Sequence, residues 1–325
     1  MARLPQPFNL NALFWAIGNG LASSTLFFYL LKDLGSSGLL LGFLLGVPRL
    51  FGLVRLVVPA VLRVWPKQKV VTLSFYISSA AILGIVPIGF RGGLFTEGLS
   101  GQLLLCAVWT VHRLLEFMGT VVLWNWMGHF LREEDRSQQL GLRERYMGVG
   151  RIVGLFCGAV ITLGLPKIEF LSLTSEGASL VSIGCGLFFL GCAFSSLLFL
   201  EEIKSVAPNR DKEGLWYRYR FVLSKRLFVW LLVFGTLFSL VNGFTVVAIG
   251  QYGKEVLGLT LGFVLGVRGL MHAGQSLGAP WIGKMQDRHG VFIVVFWSQL
   301  LVASGLFFYG AASQEIWWLV LGAWG

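Results

Sequence analysis

Charge is what this chain has least of: only 13% of its 325 residues are Asp, Glu, Lys or Arg, about half the share that a soluble domain carries. Acids are the scarcer sign, 16 against 26 bases. The four histidines are scattered, which argues against a metal centre and against a cluster of acids and imidazoles of the kind a membrane hydrolase needs. The four cysteines, Cys106, Cys157, Cys185 and Cys192, all fall inside apolar stretches without metal-ligand spacing, so they are expected to pack rather than to ligate or to form disulfides. No nucleotide-binding motif occurs, which argues against direct use of ATP, and no cofactor is expected.

What fills the chain instead is apolar sequence, with a mean hydropathy of +0.74 and 55% hydrophobic residues. Lipid satisfies no free backbone amide or carbonyl, so a spanning segment must be a helix of about 20 apolar residues. On this basis spans are expected near residues 8–31, 38–62, 70–90, 103–130, 146–165, 178–200, 227–250, 260–282 and 291–310, with a tenth beginning before Gly325. The first is too long and aromatic for a cleaved secretory signal. The expected fold class is therefore an all-α polytopic membrane protein of nine to ten transmembrane helices.

Basic residues in alternate connections set the orientation, because positive loops remain cytoplasmic. With the N-terminus inside, 17 Lys and Arg lie on the cytoplasmic side and four (Lys32, Arg91, Lys167 and Lys254) outside. The expected location is a cell membrane with a cytoplasmic N-terminus. The net charge of +10 then reflects topology and contact with anionic lipid headgroups, not nucleic-acid binding.

The polar stretch from Glu201 to Arg226 separates six apolar segments from those that follow. Residues 1–200 are expected to form an N-terminal six-helix bundle, 201–226 a cytoplasmic linker, and 227–325 an incomplete C-terminal bundle. Across that linker the sequence repeats: LGFLLGV at Leu41 to Val47 returns as LGFVLGV at Leu261 to Val267, six of seven residues at an offset of 220. With a one-residue gap Pro59 aligns with Pro280, and Lys32-Asp33 and Lys254-Glu255 precede the two copies. Two parallel repeats account for this pattern.

Gly283 to Gly290 reads GKMQDRHG, which resembles the G-x-x-x-D-R-x-G loop motif of the major facilitator superfamily and is expected in the connection after the second helix of the second half. The resemblance implies a cytoplasmic latch: Gly283 lets helices approach, Asp287 faces a helix end and a basic partner, and Arg288 and Gly290 complete the motif. In the first half Leu62, Pro66 and Lys67 stand for the glycine, aspartate and arginine, so only the positive charge survives. Arg113-Leu-Leu-Glu116-Phe117 is similar to the family's R-x-x-Q-G element, and Gly150, Gly154 and Gly158 in the fifth span lack the Gly-Pro of its antiporter motif. The family has twelve helices in two bundles, so the chain is expected to be truncated or an unusual short form.

Charges in the bilayer core cost about 2.5 to 3.5 kcal/mol each on the lenient scale, so they mark candidate functional sites. They are Arg49, Arg55, His112, Arg113, Glu116, Arg151, Arg268 and His272. Trp109, Arg113, Glu116, Thr120 and Trp124 share one helix face. The resemblance implies that the first, fourth, seventh and tenth helices line a cavity, which adds Asn11, Trp15, Asn19 and Ser23 on the first and Ser239 and Asn242 on the seventh as uncharged contacts. Arg113 and Glu116 form either a structural ion pair, a proton-coupling site or a direct substrate contact. Arg49 and Arg268 nearly coincide under the repeat, and Arg268 shares a face with His272 and Gln275; the surplus of arginine suits an anionic solute, while backbone hydrogen bonding is the competing role. Arg55 and Arg151 sit nearer the inner side, where snorkelling explains them. The three glycines of the fifth span are expected to allow close helix contact.

The expected function is secondary active transport of a small solute by alternating access, with protons as a candidate coupling ion, membrane lipids as surroundings and a monomer as the working unit. The alternatives are a transport-inactive sensor or scaffold with the same fold, and a lipid-processing membrane enzyme, against which Glu133, Glu134 and Asp135 read as a solvated loop run.

Overall fold

The computed structural model describes residues 6–50, 57–95, 98–131, 136–167, 174–202, 220–221, 223–316 and 318–320. Among them there are helices and no strands: α1 (Gln6–Leu21), α2 (Ser24–Asp33), α3 (Gly38–Leu50), α4 (Val58–Val64), α5 (Gln68–Arg91), α6 (Leu99–Gly128), α7 (Arg136–Gly164), α8 (Ser175–Leu198), α9 (Arg226–Gln251), α10 (Leu261–His289) and α11 (Val291–Ala311). Each expected span is mainly helical where it is described, although residues 8–31 break at Ala22 and Ser23 and residues 38–62 give two helices, α3 and α4. Five helical segments are long and apolar enough to cross a membrane: Gln6–Asp33, Gln68–Arg91, Leu99–Gly128, Gln139–Gly164 and Ser175–Leu198. The chain is a multi-pass membrane protein.

Local chemistry explains where helices depart from the hydropathy pattern. The first span breaks after Leu21, and the Ser23 hydroxyl then accepts the Leu26 N–H at 3.4 Å, capping α2. α7 begins at Arg136, ten residues ahead of the expected span, because a charged stretch rich in Gln, Leu, Arg and Glu propagates a helix readily once nucleated. α10 runs to His289, so the GKMQDRHG segment forms the last turns of a helix and not a loop. Its stop is Gly290, whose φ of 83° lies in the left-handed region open to glycine; α11 starts at the next residue.

The chain forms two compact units. One comprises Met1–Phe8, Leu31–Gln139 and Phe194–Val247, the other Asn9–Leu30, Leu140–Ala193 and Ala248–Gly325. In the first, α3, α4 and α5 all contact α6. Val58 and Leu62 of α4, Val71 of α5 and Val122 of α6 make one buried cluster. Tyr76 of α5 stacks on Phe194 at 4.9 Å, and Phe8 packs edge-on against Trp126 at 5.5 Å. The end of α8 is fixed by α5: Lys69 Nζ donates to the carbonyls of Leu198 at 2.6 Å and Leu200 at 2.7 Å, while its backbone N–H donates to the Glu202 carboxylate at 3.2 Å. A cation there satisfies terminal carbonyls and opposes the negative end of the helix dipole.

In the second unit α1 is gripped by glycines from two neighbours. A Cβ added to Gly150 or Gly154 of α7 would collide with the carbonyl oxygens of Leu13 and Ile17, and one added to Gly186 of α8 would come within 2.9 Å of the Gly18 carbonyl. With no hydrophobic drive between helices in lipid, this backbone-to-backbone approach gains dispersion that larger residues forbid. Gly158 has ordinary contacts, so only two of the three glycines expected to pack are sterically required. At the far end of the unit Tyr252 donates to the Ala312 carbonyl at 2.8 Å and Tyr309 to the Ile249 carbonyl at 2.9 Å, tying the turn after α9 to the end of α11.

Candidate functional site

The first unit holds an ionisable cluster on α6. Arg113 Nη1 donates to Glu116 Oε2 one turn along, with 30% of the Arg113 side chain exposed and 5% of the Glu116 side chain. The pair neutralises the acid where it is buried and leaves the guanidinium at the open edge. The same guanidinium lies 5.5 Å from the centroid of the buried Trp109 ring, within cation–π range. Thr120 donates to the Glu116 carbonyl at 2.8 Å and meets the Tyr76 hydroxyl at 3.2 Å. Trp124, the last member of the stripe, is exposed, so the polar face turns away from the interior of the unit at that end.

His112 joins this cluster from the next position round the helix. It is buried, its Nδ1 lies 2.9 Å from the Ser79 hydroxyl and 3.0 Å from the Ser79 carbonyl, and its ring sits 5.5 Å from that of Trp109. The carbonyl contact requires a proton on Nδ1, because a carbonyl oxygen only accepts. Sequence reasoning counted His112 among the intramembrane ionisable groups but missed its role beside the pair. The available signal was its place four residues before Glu116.

The second unit holds a separate, positively charged cluster. Arg268 of α10 donates to the Thr25 hydroxyl of α2, and the phenols of Tyr309 and Tyr29 are close enough to act on it electrostatically. One turn on, His272 Nδ1 lies 3.0 Å from the Gln275 side-chain oxygen, and both Arg151 and Arg268 bear on the imidazole. Arg151, which the sequence assigned to snorkelling, is within electrostatic reach of this imidazole. Such a concentration of donors and positive charge suits carboxylate or phosphate oxygens.

Three of the uncharged residues of the first span make hydrogen bonds within the helices. Asn19 donates to the Trp15 carbonyl of its own turn at 3.1 Å, Asn11 to the Ala193 carbonyl of α8 at 2.9 Å, and Ser23 caps α2. Arg49 in α3, Asn242 and Ser239 in α9, and Gly283 and Asp287 in α10 have helical backbones, and their side chains lie outside the described residues, as does the whole of Arg55. Arg288 is exposed at the end of α10. Among the described residues no group of three or more His, Cys, Asp or Glu is placed to hold a metal ion.

By sequence the chain matches no protein-family model and none of the curated proteins compared. By structure it matches the crystal structure of an aspartate-to-alanine mutant of the nucleoside transporter NupG at a TM-score of 0.72 and 13% identity, covering 99% of this chain and 78% of that one. A second crystal structure of the nucleoside transporter NupG matches at 0.64 and 12% identity, covering 98% and 76%. The likeness establishes the fold, which agrees with the major-facilitator-like architecture that the GKMQDRHG motif implied.

Proposed function

We propose that this chain is a secondary active transporter that moves a small solute by alternating access. The observation that carries the proposal is the fold, shared along nearly the whole chain with a transporter. The sequence repeat supports two bundles moving about a site between them, with residues 1–200 and 227–325 as the bundles and 201–226 as the linker. The excess of basic residues on one side supports a cytoplasmic N-terminus. A nucleoside is the first solute to test, since the structural neighbours are nucleoside transporters. The cluster of Arg151, Arg268 and His272 supports a second reading, an anionic solute such as a carboxylate or phosphate ester. Asn19 is a further proposed solute contact, Arg49 and Asn242 are proposed contacts carried by α3 and α9, and the proposed cytoplasmic latch is Asp287 with Arg288, between Gly283 and Gly290.

Glu116 is the proposed coupling group. Its burial beside Arg113 lets the guanidinium be held or released as the carboxyl loses or gains a proton. Counterflow in proteoliposomes tests transport itself: a labelled nucleoside is expected to accumulate against an unlabelled pool, with nucleoside monophosphates competing if the anion reading holds. No counterflow with either class, from protein shown to be folded, would overturn the proposal. Glu116→Gln is expected to abolish the pH dependence of net uptake while sparing counterflow, and a retained pH dependence would remove Glu116 from coupling. Arg268→Ala is expected to weaken an anionic solute about tenfold or more, the loss typical of one charge-assisted contact, and to leave a neutral nucleoside nearly unaffected.

A further inference from the structure

We propose that the turn between α4 and α5 is a binding site for one anionic phospholipid. The turn borders a half-open cavity of about 500 Å³ lined by Trp65, Pro66, Lys67, Val70, Val71, Ser74 and Phe75, a volume within the roughly 300 to 1,000 Å³ of ordinary ligand pockets. Its floor is firm, because Val71 is buried against Val58, Leu62 and Val122. Apart from Ser74 and the lysine at its mouth, the lining named here is apolar or aromatic. That lining gives a polar solute little to orient it and suits an acyl chain.

Position and charge specify the headgroup. The membrane-spanning segment Gln68–Arg91 starts at this turn, so Lys67 stands at the water boundary while Val70 and Ser74 follow one another down a single helix face, Ser74 lying about 10 Å deeper along the axis than Lys67 at 1.5 Å per residue. Trp65 is 61% exposed beside the mouth, at the level where tryptophan seats among headgroups. Three basic side chains surround the turn, and they are not equivalent. Lys69 is committed to the α8 carbonyls, whereas Arg63 and Lys67 are exposed and have no ion-pair partner among the described residues. One cation in the wall of an apolar slot, with a second exposed cation four residues before it, complements a phosphate above a fatty chain. The segment is the first-half counterpart of the GKMQDRHG motif. The proline and lysine that replace the latch aspartate and arginine are part of the cavity wall, so the departure from the motif coincides with the gain of this site.

Native mass spectrometry of the purified full chain tests the proposal, with phosphatidylglycerol and phosphatidylcholine of equal chain length as probes. One phosphatidylglycerol is expected to be retained in preference to phosphatidylcholine. Lys67→Gln and Arg63→Gln are each expected to weaken retention about fivefold, the effect of one cation near a headgroup, while Lys67→Arg retains the lipid and Arg91→Gln, at the opposite end of α5, has no effect. Ser74→Trp, which fills the slot and leaves both cations, is expected to abolish retention; should that variant fail to fold, the two exposed cations still decide the matter. Equal retention of the two lipids, or unchanged retention in the Lys67/Arg63 double variant, would overturn the site. Displacement of the lipid by millimolar glycerol phosphate would assign the cations to free phosphate and overturn the lipid.

Discussion

The two copies of the repeated heptapeptide are nearly the same sequence in different settings. In α3 Leu41 and Leu44 are buried with 0% exposure, whereas in α10 the fully buried leucine is Leu265, whose counterpart Leu45 is only half-buried. The inward face is thus advanced by one residue, about 100° around the helix. The starts differ too. α3 begins three residues before its copy, while α10 begins on Leu261 itself, where the Thr260 hydroxyl accepts the Phe263 N–H at 3.4 Å. The prolines diverge likewise: Pro59 lies in the first turn of α4, and Pro280 lies within α10. A repeat in sequence therefore transmits the helix but not the face it buries, which is chosen by the neighbours each copy meets.

Substitutions at aligned positions test this difference in pairs. The largest contrast is expected between Leu265→Ala, which opens a cavity and costs about 2 to 4 kcal/mol, and Leu45→Ala, which costs under about 1 kcal/mol, measured by reversible unfolding in mixed micelles. Equal costs would mean that both copies bury the same face. Next, Thr260→Ala removes a cap and is expected to cost about 1 kcal/mol, with no effect from the aligned Leu40→Ala beyond the change in side-chain burial. Gly262→Ala follows: its new methyl would collide with Leu163 Cγ and force that side chain to shift, for a cost of about 1 kcal/mol or more. The smallest effect has the opposite sign. Gly42 faces open space, so Gly42→Ala is expected to stabilise α3 by up to about 1 kcal/mol through helix propensity alone.

Hydropathy made the helices legible, because spanning a bilayer demands length and apolarity that nothing else in a chain imitates. The fold was legible through GKMQDRHG, although the motif's own conformation was not: a loop was expected where Gly290 alone makes the turn. The Arg113 and Glu116 pair was legible from its spacing of three. What was hidden required partners from distant sequence. Nothing near His112 announces Ser79, nothing near Arg268 announces Thr25, and the glycines Gly18 and Gly186 become informative only when α1 and α8 are seen backbone to backbone. Asn19 is ambiguous for the same reason, since a polar residue in a span is as easily satisfied by its own helix as by a ligand.

Lys69 clasps the end of one membrane helix while starting another, and Glu202 returns the clasp to its backbone. Whatever the polar segment beyond Glu202 connects to, it departs from a point anchored on α5. Tension on that segment is therefore delivered to the root of α5, beside the Trp65 turn, before it can unwind α8, and the single lysine acts as the cleat through which the rope pulls.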